Sequence, residues 1–359
     1  MKRIVVTGAG GSPSTNFIRS LRASNGKFFI VGTDCNKYYL QRAEVDRKYL
    51  IPKCDDESYI PILNEIIKKN QCEFLHAQND SELGVISNRR EEIHAKTFLP
   101  AKKTVNICLD KLMSHKIWKK SGIPQPQTIL IKNKGDLVTA FEKIEGEIWL
   151  RNVVGAGGKG SIMTNKFEIA KNWIDFKNGW GNFTASEYLS PNSVTWMSIW
   201  KNGELVVAQT RKRLYWELSK ISPSGVTGAT GGAITINNKN VDDMSLDCIH
   251  AIDKNPNGIF SVDMTYNEKH QPIPTEINIG RFFTTHGFFT KAGLNMPHIF
   301  IKLAYEEKIP EFTRKINPLK EGLIWIRGMD FLPILVDEKT IEKYVEDLEK
   351  MKKDISHEG

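Results

Sequence analysis

The stretch Gly258–Arg281, GIFSVDMTYNEKHQPIPTEINIGR, constrains the fold more tightly than any other part of this chain. Two apolar runs flank the polar segment Asn267-Glu268-Lys269-His270, which is the pattern of a strand, a tight turn and a return strand. Side chains on a strand alternate between its two faces. Phe260, Val262 and Met264 therefore share one face, and Ser261, Asp263 and Thr265 the other. On the return strand Ile273, Ile277 and Ile279 face one way, Glu276 and Asn278 the other. Within one or two residues of register, Asp263 lies across from Glu276 and Asn278. Three oxygen-bearing side chains then leave one face of a strand pair whose other face is apolar. Taken alone, the pair reads as an ordinary hairpin with one solvated face. Carboxylate and amide oxygens are also what a hard cation such as Mg²⁺ takes, and the rest of the chain decides between the two.

At 359 residues the chain suits two or three packed domains. Its apolar content is ordinary for a globular protein, and no run approaches the ~18 apolar residues of a membrane span. Lys2-Arg3 leads directly into Ile4-Val5-Val6 and then glycines, a first strand rather than the apolar core of a signal peptide. The five cysteines, Cys35, Cys54, Cys72, Cys108 and Cys248, are odd in number, widely spaced and without a C-x-x-C pair. Reduced thiols, no zinc site and a cytoplasmic setting are expected. The net charge of +8 is spread along the chain, apart from the cluster Arg211-Lys212-Arg213. It fits a solvated surface or small anionic partners. No nucleic-acid-binding module is recognisable.

The first third alternates strand and helix patterns, as a parallel, Rossmann-like sheet requires. Strands are expected at Ile4–Thr7, Phe28–Gly32 and Glu73–Ala77, and helices at Ser14–Ala23, Ser58–Asn70 and Ser81–His94. Gly8-Ala9-Gly10-Gly11-Ser12-Pro13 joins the first strand to the first helix, an arrangement that points free backbone N–H groups at an anion. One reading is a dinucleotide site with Asp34 on a ribose, but Ser12 and Pro13 break the G-x-G-x-x-G spacing. Asn79-Asp80-Ser81-Glu82 reads as a helix N-cap with an acidic first turn.

In the middle, Asp110–Ser121 has helical spacing and ends at Gly122, with Pro124 and Pro126 preventing continuation. Strands are expected at Thr128–Ile131, Glu147–Arg151, Ser161–Thr164, Phe183–Leu189, Val194–Trp200 and Glu204–Gln209. The glycine-dense loop Gly155–Gly160 lies between two strands, so it is no P-loop, but its N–H groups suit a flap over phosphates. Arg211 and Arg213 share strand parity and fit bidentate recognition of a carboxylate or phosphate. Ser219–Gly232 reads as a long polar loop, Val241–Ile252 as an amphipathic helix, His286 as a packed or capping residue, and Lys350–Gly359 as a frayed tail.

In this order the motifs resemble the ATP-grasp superfamily, in particular members similar to the carbamoyl-phosphate synthase large chain. The residues that carry the resemblance are Asp110-Lys111, the Gly122–Pro126 stop, Arg151, the glycine flap, Glu187-Tyr188-Leu189 and Asp263…Glu276-Ile277-Asn278. It spans about residues 1–335. It implies an α/β chain, with a Rossmann-like domain at 1–105 followed by an ATP-grasp fold of two α+β subdomains. The small subdomain with the flap is expected at 106–188, the large one with the metal site at 189–335, and a helix and tail at 336–359. Lys111 and Arg151 would hold ATP phosphates, and Gly155, Gly157, Gly158 and Gly160 would belong to the flap. Glu187, Tyr188 and Leu189 would read adenine, and Asp263, Glu276 and Asn278 would bind Mg²⁺ or Mn²⁺.

Arg281 resembles the arginine that stabilises the transferring group, but follows Asn278 by three residues rather than two, with Gly280 the extra one. Where the family has an acidic or His contact to ribose, this chain has Val194 and Thr195, so Thr195 or Ser193 would supply one hydrogen bond. The activity implied is an ATP-dependent carboxylate–amine ligase working through an acyl phosphate, with Arg211, Arg213 and Arg281 at the reacting groups. Its partners would be a small carboxylate and an amine, with no nucleic acid and no membrane, and a homodimer possible. The alternatives are an NAD(P)-dependent oxidoreductase using the N-terminal turn and a basic nucleic-acid-binding protein.

Overall fold

Three sheets carry the architecture. The computed structural model describes residues 1–153, 160–190, 192–221, 223–226, 229–267, 269–328 and 334–357. The first sheet is parallel, in the order β3-β2-β1-β4, with strands β1 (Lys2–Val6), β2 (Phe28–Asp34), β3 (Arg47–Leu50) and β4 (Phe74–His76). Helices α1 (Ser12–Arg22), α2 (Tyr59–Lys69) and α3 (Asp80–Asn88) lie between and after them. This is the expected Rossmann-like arrangement with one strand added. β3, RKYL, escaped the hydrophobic pattern because a short edge strand keeps charged residues outward.

The β1–α1 turn shows why its glycines are there. A Cβ on Gly10 would lie 2.0 Å from the Tyr39 carbonyl oxygen. Asp34 closes this turn: its Oδ2 accepts the Gly10 N–H at 3.1 Å and its Oδ1 accepts the Asn36 N–H at 2.8 Å. Both oxygens are engaged by the loops that flank them, which disfavours Asp34 as a ribose ligand.

Beneath the same turn lies Glu82, buried, accepting from the Tyr59 hydroxyl at 2.8 Å and from the Asn79 side-chain amide. Burial pushes its carboxyl from 4.5 up to about 7, against the hydrogen bond from Tyr59. The folded chain thus binds more protons than the unfolded one between these values, so this residue's contribution to stability falls as pH rises through that window. Glu82→Gln is expected to remove a decline on the order of 3 kcal/mol between pH 5 and 8, measured by urea unfolding at both. An unchanged pH slope would rule this out.

α4 (Lys102–Leu109) and α5 (Lys111–Lys120) lead from the first sheet to an antiparallel one ordered β5-β8-β6-β7. Its strands are β5 (Thr128–Ile131), β6 (Ile148–Asn152), β7 (Ile162–Thr164) and β8 (Phe183–Glu187), packed on α6 (Lys134–Lys143) and α7 (Phe167–Phe176) over a core that includes Ile131, Leu150, Ile174 and Phe183. α4 and α7 were not among the expected helices, although Phe167, Ala170 and Ile174 in α7 recur at helical spacing.

The third sheet is antiparallel, ordered β13-β12-β9-β10-β11-β14. It contains β9 (Ser193–Lys201), β10 (Glu204–Trp216) and β11 (Thr230–Thr235), then β12 (Gly258–Tyr266), β13 (Pro272–Ile279) and β14 (Ile324–Ile326). α8 (Lys239–Ile252) packs on one side. On the other, Met197, Ile199 and Val207 join Ile4, Val6 and Phe17 of the first domain, together with α9 (Gly287–Lys291) and α10 (Met296–Ala304). The expected Ser219–Gly232 loop is shorter than the composition implied: a 3₁₀ turn occupies Ser219–Ile221, and β11 begins at Thr230. The expected frayed tail is also corrected. α11 (Glu338–His357) stays helical because Leu348, Met351 and Ile355 pack back onto the first domain's core. No described helix is long and apolar enough to cross a membrane.

Candidate active site

The β12–β13 hairpin has the register its alternation implies. Asp263 pairs directly with Glu276, and Ser261 with Asn278. Asn278 Nδ2 donates to Asp263 Oδ2 at 3.0 Å, and the Thr195 hydroxyl donates to Asp263 Oδ1. Thr195 is buried on β9, between Arg211 and Asp263 in the sheet. Its hydroxyl is therefore turned to a carboxylate, away from the ribose contact expected of it. Ser193 remains on the cavity wall, where its hydroxyl accepts from Arg213.

α5 brings Lys111 to this hairpin. Asp110 caps the helix, its Oδ1 accepting the Met113 N–H at 3.0 Å. The Lys111 ammonium then lies 3.0 Å from Glu276 Oε2. Arg151, at the end of β6, reaches across from the other sheet to the Thr275 carbonyl at 3.4 Å. Burial opposes ionisation of Glu276, but the charges of Lys111, Arg151 and Arg281 outweigh it and hold the carboxyl below its usual range.

Arg211 and Arg213 stand on β10. Arg213 donates to Thr230 Oγ1 at 2.9 Å, and its guanidinium lies 3.5 Å from the Trp216 ring centre, so that indole packs on an arginine. Arg211 is only 3% exposed, and its Nε and Nη1 have no acceptor among the described residues. Its guanidinium rests 4.9 Å from the Phe283 ring centre. Burial, then the like charge of Arg213, pushes it down to about 9. A buried cation with free N–H groups costs free energy unless an anion meets it.

Most of these residues line a cavity of about 560 Å³, although Lys111 and Thr195 are not part of its wall. Glu187, Tyr188 and Leu189 form its rim on the small sheet, with Trp149 beside Tyr188. Arg151, Arg211, Arg213, Asp263, Glu276, Asn278 and Arg281 line its floor. Gly160 is described, in a left-handed turn at φ +75° with its carbonyl accepting the Trp173 indole N–H at 2.8 Å. Gly155, Gly157 and Gly158 lie outside the described residues. His286 is buried with Nδ1 2.6 Å from the Phe283 carbonyl, and burial pushes it down to about 4, which makes it a packed neutral group.

One residue of the cluster was not read as functional. Asp80, at the start of α3, receives Arg281 through two hydrogen bonds, from Nε to Oδ1 and from Nη2 to Oδ2 at 2.9 Å. Its only signal in the sequence was the acidic first turn after Asn79, whose amide oxygen does cap α3 by accepting the Glu82 N–H at 2.9 Å. The displaced position of Arg281 has a local cause. Gly280 adopts φ +66°, and a Cβ there would come within 2.6 Å of Leu83 Cδ1. The chain turns at Gly280 against α3, and the next side chain reaches Asp80.

The donor set of Asp263, Glu276 and Asn278 is all oxygen, which fits a hard divalent cation. Among the described residues no group of three His, Cys, Asp or Glu side chains offers another metal site. The two carboxylates face each other directly, whereas Asn278 turns its Oδ1 to Arg281 Nη2 at 2.7 Å.

The fold these sheets define is the ATP-grasp fold, behind an N-terminal domain of Rossmann type. Residues 4–99 match the family model described as PylC-like, N-terminal domain. Across 86% of this chain and 79% of its own, the N5-carboxyaminoimidazole synthetase of Staphylococcus aureus with ADP superposes at a TM-score of 0.68 and 15% identity. The biotin carboxylase domain dimer of Hydrogenobacter thermophilus 2-oxoglutarate carboxylase, with MgADP and bicarbonate, covers 90% of this chain and 73% of its own, at 0.67 and 14%. The L-amino acid ligase of Bacillus licheniformis covers 85% and 74%, at 0.64 and 11%. No curated protein matches by sequence.

Proposed function

We propose that this chain is an ATP-dependent carboxylate–amine ligase that forms an amide through an acyl phosphate, releasing ADP and phosphate. The observation that carries the reading is Arg211, a buried cation whose Nε and Nη1 meet no acceptor among the described residues, in a cavity that also holds the Asp263 and Glu276 carboxylates. The structural neighbours include enzymes whose structures hold ADP, one with magnesium and bicarbonate, and another named an amino acid ligase.

Adenine would lie against the Glu187–Leu189 rim and Trp149. Lys111 and Arg151 would take the β- and γ-phosphates, and Lys111 would exchange its contact with Glu276 for phosphate oxygens. Mg²⁺, or Mn²⁺, held by Asp263, Glu276 and Asn278 would neutralise phosphate charge at that face. Arg211 and Arg213 would orient the carboxylate whose oxygen attacks the γ-phosphorus while the bond to ADP breaks. The amine nitrogen then attacks the acyl carbon, phosphate leaves, and the amine proton is lost to solvent or phosphate. Arg281 would stabilise the oxyanion that forms on the acyl oxygen as the amine adds.

The co-substrates would enter past the front domain. A second cavity of about 860 Å³ is lined by Ser12, Lys37 and Arg42 on that side and by Glu217, Asp337 and Glu342 on the other. Its lining carries charge of both signs, with Arg327 among the acidic residues.

A screen of carboxylates against amines, read as ADP release, tests the proposal. Release is expected only when Mg²⁺·ATP and a productive pair are both present. Thermal stabilisation by NADPH with none by Mg²⁺·ATP would overturn it in favour of the oxidoreductase reading.

A further inference from the structure

Arg281 sits where it could harm the site as easily as serve it. Its side chain is 13% exposed, and the carboxylates that stabilise its charge are Asp80 first, then Glu276 and Asp263. The last two supply the carboxylates of the candidate cation site, whose third member, Asn278, already accepts from Arg281 Nη2 at 2.7 Å. Asp80 is the one that belongs to another domain, 201 residues away in sequence. We propose that Asp80 is a positioning residue that parks Arg281 on the front domain, so that Asp263 and Glu276 are left to a divalent cation.

The surroundings make the parking firm. The Gly280–Gly287 segment is fastened to the front domain at two carbonyls besides: Gln78 Nε2 donates to Phe282 O and Asn16 Nδ2 to Thr284 O, each at 2.9 Å. The backbone of Arg281 is therefore fixed, and its side chain has only its own torsions with which to choose a partner. A guanidinium can only donate, so it must face an acceptor. Asp80 satisfies it along a two-bond edge, and one remaining contact reaches Asn278 Oδ1. Without the Asp80 charge, the anions that next stabilise Arg281 are Glu276 and Asp263, on the adjoining hairpin. Arg281 would then turn inward and compete with the metal.

The inference rests on the proposed Mg²⁺–nucleotide site, and its test separates the two. Mn²⁺ binding in the presence of ADP is followed by electron paramagnetic resonance and by calorimetry, on the full chain. Wild type is expected to bind. Asp80→Asn is expected to weaken Mn²⁺ about tenfold, whereas Asp80→Glu keeps it within about threefold because the charge persists. The double variant Asp80→Asn/Arg281→Gln is expected to recover wild-type affinity, because the competing cation is gone. A structural role for the Asp80–Arg281 pair would instead leave the double variant as weak as Asp80→Asn, and that result overturns the inference. Equal Mn²⁺ affinity in Asp80→Asn and wild type overturns it too, with the nucleotide site intact. Failure of wild type to bind Mn²⁺ with ADP overturns both, and is recognisable because no variant is needed to see it.

Discussion

Glu276→Gln is expected to lower nucleotide-dependent ADP formation by about 10²–10³-fold, the scale of losing one well-placed electrostatic contact to a developing charge. The substitution keeps the shape of the side chain and removes its charge. Glu276 faces Asp263 across the hairpin and holds Lys111 at 3.0 Å. One change thus weakens the cation's ligand set and releases the ammonium that would position phosphate. The stability cost should exceed the ~1 kcal/mol of an exposed pair, because the side chains are only 15% and 28% exposed and Lys111, Arg151 and Arg281 lose a shared carboxylate. Steady-state ADP release with a matched urea titration separates the two effects. Undiminished release in a folded Glu276→Gln chain would remove this residue from the phosphate-transfer site.

The largest stability loss is expected at Trp118. This residue of α5 is completely buried, and its indole N–H donates to the Cys248 carbonyl of α8 at 3.1 Å. Trp118→Ala should cost about 3–5 kcal/mol, through lost burial, the cavity left behind and an unpaired carbonyl. Trp118→Phe, which keeps most of the volume, should cost distinctly less. Lys111 is on the first turn of the same helix, so the alanine variant should also bind Mg²⁺·ATP more weakly than its remaining folded fraction accounts for. Urea unfolding gives the first quantity, and nucleotide titration corrected for that fraction gives the second. A cost below about 1 kcal/mol would mean that α5 is held by other contacts.

Much of the site was legible because it sits on regular elements. The period of two along Phe260–Thr265 and Ile273–Ile279 put Asp263, Glu276 and Asn278 on one face, and in the folded chain they meet there. Asp110 before an apolar helix announced the cap that sends Lys111 toward the hairpin. The parity of Arg211 and Arg213 placed both on one wall of the cavity. Thr195 was placed on the right strand and given the wrong neighbour. Alternation shows which face a side chain takes and says nothing about which group waits on the adjoining strand. β3 and α4 were missed because a short edge strand and a two-turn helix rely on neighbours more than on their own pattern.

The amino-acid sequence by itself determined the alternating front domain, the oxygen-bearing face of the hairpin and the order of the basic residues, since each follows from local periodicity and capping. Only the tertiary structure decided that Asp80 holds Arg281, that Thr195 serves Asp263, and that Arg211 is buried with Nε and Nη1 lacking an acceptor among the described residues. These depend on which surfaces close on each other. A hydrogen bond across 201 residues leaves no trace in any window of neighbouring side chains, because it forms only after sheet, turn and helix have each been placed.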